Sequence, residues 1–178
     1  MDKRLILEII PGPVFLLGNA LGGIFLGAGL AVLATLAASI LRWRWDRRLP
    51  LMALSILGLT LFLLALGLFY DDTSYVKVSN TLGSIAFALI LAAGLFLRPS
   101  LLERTLGYSV HLTPQGWRTL HGVWIAVSLA RAGANEAVWR SVNDNAWAIY
   151  NGIADLGWIA VFFAATWLVS AHHWKDPA

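Results

Sequence analysis

The sequence predicts an all-α fold, a polytopic transmembrane helical bundle with five spans and room for a short sixth helix at the N-terminus, and three observations predict it. First, the 178 residues are 58% hydrophobic and only 13% charged, where an ordinary soluble domain is about 45–50% apolar and about 25% charged. Second, the apolar residues fall in long Leu/Ala-rich runs without the roughly ten-residue alternation of barrel strands, and hydrocarbon tolerates no open backbone, which leaves helices. Third, Lys and Arg sit in the connections between runs instead of lining one face. A water-soluble monomer is excluded. Five crossings of about 20 residues use roughly 100 residues, so 1–178 reads as a single transmembrane domain with no second, soluble one.

The spans follow in order as Val14 to Leu41, Leu49 to Tyr70, Val78 to Leu97, Thr119 to Val138 and Trp147 to Ala171. Ahead of them lies Leu5 to Leu17, an apolar stretch interrupted by Glu8 and Pro11-Gly12-Pro13. The connections orient the bundle through the excess of Lys and Arg in cytoplasmic loops. Arg42, Arg44, Arg47 and Arg48 join the first two spans, Lys77 closes the next connection, and Arg98, Arg104 and Arg118 lie in the third. These counts put 42–48, 98–118 and the C-terminus in the cytoplasm.

Two arguments divide over the N-terminus. If 5–17 crosses as a sixth helix and turns near Asn19 to Gly23, Lys3 and Arg4 move inside and sharpen the charge asymmetry. Against it, those residues at 1.5 Å rise reach only about 20 Å of a ~30 Å core. A secretory signal peptide is a third reading, since Lys3-Arg4, an apolar stretch and Gly18-Asn19-Ala20 mimic its parts, although Glu8 and Pro-Gly-Pro break the run.

Small residues mark the first span, with Gly18 and Gly22, Gly23 and Gly27 each four apart. Such spacing lets a neighbouring backbone come close. Packing against another span of the chain is one use, and self-association into a homo-oligomer is the other. The nine tryptophans divide by position. Trp43, Trp45, Trp117, Trp139, Trp147 and Trp174 sit near span ends, as in an aromatic belt, while Trp124, Trp158 and Trp167 lie deeper and are expected inside the bundle.

Polar groups concentrate in the last two spans. His121, Trp124, Ser128, Arg131 and Asn135 recur at three- and four-residue steps, as do Trp147, Asn151, Asp155 and Trp158, so each set shares a helix face. An antiparallel hairpin would bring Asn135 to Asn151 and Arg131 to Asp155. An arginine at a helix centre costs about 2.5–3.5 kcal/mol on the mildest scale, which favours such a facing pair. The candidate intramembrane polar seam is therefore His121, Ser128, Arg131, Asn135, Asn151 and Asp155, read either as a register-fixing element or as a solute or proton path. Glu136 and Arg140, four apart, suit a surface ion pair.

No catalytic constellation is evident. The chain has no cysteine, so thiolate nucleophiles, thiolate metal sites and disulfides are excluded. The four histidines lack metal-ligand spacing with carboxylates, and no nucleophile-elbow, phosphate-loop or H-E-x-x-H motif occurs. No cofactor and no nucleic acid partner are expected, and the short loops leave little from which to build an active site.

Three segments resemble a known family. Pro99 to Gly107 followed by Leu112 to Leu120 and Trp124, then Asn135-Glu136-Ala137-Val138-Trp139-Arg140, and Asp71-Asp72 with Tyr75-Val76-Lys77 are similar to motifs of the bacterial inner-membrane-spanning septation protein A family, also called YciB. The resemblance covers most of the chain. Two stretches depart from it. Ser79-Asn80-Thr81 stands where the family has Lys-Pro-Thr, and Trp147 to Ala154 lacks the family's lysine and final glycine. Arg131 and Asp155 are not family features and read as a local replacement for the lost basic group. The resemblance implies a multi-pass inner-membrane protein, not an enzyme, with a role in envelope integrity, membrane homeostasis and cell division. It implies action through other inner-membrane envelope and division proteins. Candidate cytoplasmic contact residues are Arg42, Arg44, Arg47, Arg48, Arg98, Arg104 and Arg118, which also suit anionic membrane lipids. The competing class is a small solute or proton-coupled transporter using the polar seam.

Overall fold

The computed structural model describes residues 10–46, 51–107 and 109–175. Among them run six helices: α1 Pro11–Asp46, α2 Leu51–Tyr70, α3 Ser74–Gly94, α4 Leu101–Leu106, α5 Pro114–Trp139 and α6 Asp144–His173. The only strand-like pairing among the described residues is an isolated antiparallel bridge between Leu112 and Trp174. The fold is all-α, a transmembrane helical bundle. By length and composition, Pro11–Trp45, Ser74–Gly94 and Asp144–His173 are each able to cross a membrane, and Leu57–Tyr70 is a shorter apolar stretch. Phe69, Phe96, Phe163 and Trp167 are more than two-thirds exposed; water would oppose that exposure, whereas acyl chains accept it.

The first helix is not one rod. Gly22 and Gly23 leave helical geometry, and Gly23 has φ +80°, a left-handed region that favours glycine. A Cβ on Gly18 would lie 2.8 Å from the Gly27 Cα, and one on Gly27 would lie 2.7 Å from the Phe15 carbonyl oxygen. Nine positions apart, Gly18 and Gly27 would be separated by about 13 Å along a straight helix, so the limbs fold back on each other. The turn expected near 19–23 thus falls at Gly22–Gly23. The small residues serve packing inside the chain, with Gly18 against Gly27, while Gly22 and Gly23 make the bend. The upstream part of the short helix expected at 5–17 lies outside the described residues.

Local signals end and start the other helices. Asp71 takes φ +52° after α2, and the Asp72 amide donates to the Gly67 carbonyl at 3.0 Å, a closure that satisfies a terminal carbonyl. Before α5, Thr113 Oγ1 accepts from the Gly116 amide at 3.1 Å, and Pro114 occupies the first helical position where no amide hydrogen is needed. Asn143 Oδ1 likewise caps α6 by accepting from the Ala146 amide at 2.9 Å. The C-terminal segment folds onto the 111–113 strand-like stretch: the Thr113 amide donates to the His173 carbonyl and the Lys175 amide to the His111 carbonyl, both at 3.0 Å.

The described residues form two compact units. One comprises residues up to Gly83 with Asn135–Asp155, and its core gathers Phe15, Ile24, Ala28, Val32, Leu57, Leu64, Val76, Trp147 and Ala148. The other comprises Ser84–Ala134 with the residues from Leu156, and its core gathers Leu91, Leu102, Leu112, Trp117, Leu120 and Val169. Trp117 and Trp147, expected in a headgroup belt, are instead 6% and 1% exposed, whereas Trp167, expected inside, is 69% exposed. Position along the chain set those expectations, but helix rotation decides burial.

Candidate functional site

A polar cluster occupies the first unit, and α3 organises it. Lys77, near the start of α3, is buried and its ammonium reaches Asp144 Oδ1 at 2.7 Å, with side-chain exposures of 8% and 44%. It also lies 5.7 Å from the Trp139 ring centroid. A buried cation needs its lost hydration replaced; here the carboxylate and the aromatic face do so.

One turn further along the same face, Thr81 meets Asn135 of α5. Asn135 Nδ2 donates to the Lys77 carbonyl and to Thr81 Oγ1, both at 2.9 Å, and its Oδ1 accepts from Trp147 Nε1 at 3.0 Å. Both amide hydrogens and one oxygen lone pair are thereby used. Thr81 Oγ1 in turn donates to Glu136 Oε1 at 2.8 Å, and Arg140 Nε donates to Glu136 Oε2 at 2.8 Å. The Glu136–Arg140 pair expected four residues apart is present, with Arg140 64% exposed and its guanidinium 4.4 Å from the Trp139 ring centroid. Such an exposed pair contributes only a few tenths of a kcal/mol.

Asn151 of α6 accepts a hydrogen bond from Asn80 of α3. Asn135 and Asn151, expected to meet across the α5–α6 hairpin, therefore each take partners from α3, and Asn135 takes Trp147 as well. Beside Asn80 and Asn151 lies a cavity of about 270 Å³, whose polar lining residues are Thr35, Thr60, Ser79, Asn80, Asn151 and Asp155. Phe15, Ala28, Ala31, Val32, Leu57, Val76 and Trp147 are among its apolar lining residues.

Of the remaining seam residues, His121, Ser128 and Arg131 belong to the second unit and Asp155 to the first. His121 is fully buried; its Nδ1 lies 2.9 Å from the Trp117 carbonyl, and its Nε2 accepts from the Leu102 amide at 3.4 Å. That carbonyl contact suits hydrogen on Nδ1, which leaves Nε2 to serve a first-turn amide of α4 that lacks a helical partner. Ser128, also buried, donates to the Trp124 carbonyl of its own helix at 2.7 Å. Arg131 and Asp155 are both half-buried, and neither is without a partner.

The arginines divide similarly. Arg104 Nε donates to the Pro99 carbonyl at 2.9 Å and its Nη2 to the Arg98 carbonyl at 3.1 Å, so this guanidinium holds the turn before α4. Arg44, Arg98 and Arg118 are exposed, and Arg42 is half-buried and engaged. Arg47 and Arg48 lie outside the described residues.

Sequence reasoning placed the seam on α5 and α6 and missed Lys77, Asn80, Thr81 and Asp144. A signal exists: Lys77, Asn80, Thr81 and Ser84 recur at three- and four-residue intervals, which is one helical face. Among the described residues, no group of three metal-binding side chains converges. Hydrogen bonds of this cluster join α3, α5 and α6.

Comparison with known proteins agrees with the motif resemblance. The family model for Intracellular septation protein A matches residues 3–176. The inner membrane-spanning protein YciB of Afipia carboxidovorans is 31% identical over 169 residues, covering 91% of this chain and 84% of that protein. The protein of the same name from Agrobacterium fabrum is 32% identical over 157 residues, covering 88% and 76% respectively. That from Sinorhizobium medicae is 33% identical over 163 residues, covering 83% and 77%. No solved structure matches the chain.

Proposed function

We propose, from the premise that the chain belongs to the Intracellular septation protein A family, that it is a multi-pass inner-membrane protein serving envelope integrity, membrane homeostasis and septation. In this reading it has no enzymatic chemistry of its own, acts through contacts with other inner-membrane envelope and division proteins, and keeps its C-terminus in the cytoplasm. The observation that carries the reading is the Lys77, Asn135 and Thr81 network, whose hydrogen bonds go to partners within the chain. Groups bound to one another in this way support a scaffold. A catalyst needs reactive groups presented to a substrate.

Among the described arginines of 42–48 and 98–118, Arg44, Arg98, Arg104 and Arg118 are exposed; Arg104 holds the turn before α4, and the other three supply contact groups for partners or anionic headgroups, the latter at about 1 kcal/mol per basic residue near the surface. Self-association belongs to the same proposal. A deletion strain scored for septum placement and envelope leakiness tests it, with defects in both expected. Normal division and an intact envelope, together with a specific solute flux in proteoliposomes, would overturn it. A reporter fused to the C-terminus checks the orientation. The second reading, a small solute or proton-coupled transporter, draws support from the cavity beside Asn151 and Asp155.

A further inference from the structure

The cavity in the first unit has a composition that the hydrogen-bond network does not require. Its volume of about 270 Å³ corresponds to about nine waters at their liquid share of roughly 30 Å³ each. It falls just under the ~300 Å³ at which ordinary ligand pockets begin. Its lining includes two aromatic rings, Phe15 and Trp147, edge to face at a centroid distance of 5.9 Å. The same lining includes the polar residues Thr35, Ser79 and Asn151.

The hydrogen bonds already made define what those groups offer. Thr35 Oγ1 donates to the Ala31 carbonyl at 2.9 Å, and Ser79 Oγ donates to the Val76 carbonyl at 2.6 Å. A hydroxyl has one hydrogen and two lone pairs, so each offers acceptor capacity to a guest. Asn151 uses its oxygen to accept from Asn80, and its amide nitrogen carries two hydrogens. Among the described residues, no Lys or Arg lines the space. An anion would meet mostly acceptors, and a hydrocarbon guest would leave the polar groups unsatisfied.

We propose that this cavity is a binding site for a small uncharged polyol of about four to six carbons, a size set by its volume. The guest lays its C–H edge against Phe15 and Trp147. Its hydroxyls donate to Thr35 Oγ1 and Ser79 Oγ and accept from Asn151 Nδ2. A polyol carries both kinds of surface on one molecule, as a lining of mixed aromatic and polar residues demands. An organic ammonium ion is less suited, because a desolvated cation needs a dedicated counter-charge and Asp155, the acidic residue of the lining, already has an interaction partner.

The test uses the full chain in lipid nanodiscs and saturation-transfer NMR with erythritol and xylitol as probes, and butylammonium as comparator. A binding readout is needed because polyols also stabilise proteins generally by exclusion from the surface. Saturable transfer to a polyol is expected, about tenfold weaker with Asn151→Leu, which removes one hydrogen bond to the guest, and lost with Ala31→Leu, which fills the space. Ala31→Leu deletes no side-chain hydrogen bond and carries the test alone should Asn151→Leu fail to insert. Non-saturable transfer, transfer unchanged in both variants, or saturable binding of butylammonium without polyol binding would overturn the assignment. The readout involves neither division nor flux, so its failure is separate from that of either functional reading.

Discussion

The two compact units satisfy their polar groups in different ways. In the unit up to Gly83 with Asn135–Asp155, hydroxyls such as Thr35 and Ser79 bond their own helix, but four side-chain bonds run between helices: Lys77 to Asp144, Asn80 to Asn151, Thr81 to Glu136 and Trp147 to Asn135. In the unit of Ser84–Ala134 with the residues from Leu156, hydroxyls mostly turn back on their own helix. Ser128 donates to the Trp124 carbonyl, Thr166 to the Phe162 carbonyl and Ser170 to the Thr166 carbonyl. The second unit packs instead through aromatic rings, with Trp124 and Phe162 edge to face at 4.9 Å and Phe87 about 6 Å from both. Helices in lipid gain little from apolar burial against one another, so close packing and interhelical hydrogen bonds hold them. A bond to the same helix contributes nothing to register, whereas a bond across helices fixes it. The first unit is held by polar register and the second by shape.

Asn135→Leu gives the largest expected effect, since it strands the Trp147 indole hydrogen and removes both bonds to α3. Buried groups left unpaired cost about 1–3 kcal/mol each, tempered by averages of about 0.6 kcal/mol per interhelical bond in membranes. A loss of about 3 kcal/mol is expected in reversible unfolding from mixed micelles. A loss no larger than about 0.6 kcal/mol would remove polar register as the difference between the units. Next comes His121→Phe, which keeps an aromatic ring but deprives the buried Leu102 amide of its acceptor. A loss of about 1–2 kcal/mol is expected, together with faster hydrogen exchange at Leu102. Unchanged exchange would show that the 3.4 Å contact adds nothing to α4.

These residues also mark how far the sequence can be read. Run length and composition are sufficient for the membrane-helical fold, because hydrocarbon thickness and backbone satisfaction leave few alternatives. Asn135, His121, Ser128 and Asn151 stand out as polar residues in apolar runs, and the structure gives each a hydrogen-bond partner. Their partners were hidden for two reasons. Lys77 sits at the edge of an apolar run, where a basic residue reads as topology, so the α3 stripe that it begins merges with the loop. Trp147 sits at a span end, where an indole reads as headgroup anchor, yet it is the 1%-exposed donor to Asn135. Periodicity names the face of one helix; which helix meets that face depends on rotation and on bends such as Gly22–Gly23, which carry no pairwise signal.

Trp124→Phe probes the second unit from the opposite side. It keeps most of the aromatic packing against Phe87 and Phe162 and removes the 3.1 Å bond from Trp124 Nε1 to Thr166 Oγ1. Because Thr166 retains its donation to the Phe162 carbonyl, only about 0.6 kcal/mol should be lost. Trp124→Ala should cost several times more by deleting the ring. Equal losses in the two variants would place the hydrogen bond above packing and erase the contrast between the units.

The smallest effect sharpens the contrast through exposure. Asp72 does for α3 what His121 does for α4, accepting a hydrogen bond from an amide at the helix start: Asp72 Oδ1 takes it from the Ser74 amide at 2.8 Å. It sits exposed in the connection between α2 and α3, and the Ser74 backbone bond, followed by the Ser74 hydroxyl, holds its pKa below the ordinary 3.8, with desolvation opposing and the Lys77 charge adding a lesser lowering. A carboxyl with a lowered folded pKa stabilises the fold above its unfolded pKa and loses that contribution as pH falls through the folded value. Asp72→Ala should therefore lower the melting temperature slightly at pH 7, with the gap from the parent closing as acid protonates Asp72, while Asp72→Asn retains an acceptor and stays near the parent at pH 7. Melting in nanodiscs at neutral and acid pH checks this. A gap that widens in acid would contradict the sign, and a neutral-pH gap as large as that of His121→Phe would mean that solvent exposure does not weaken the cap.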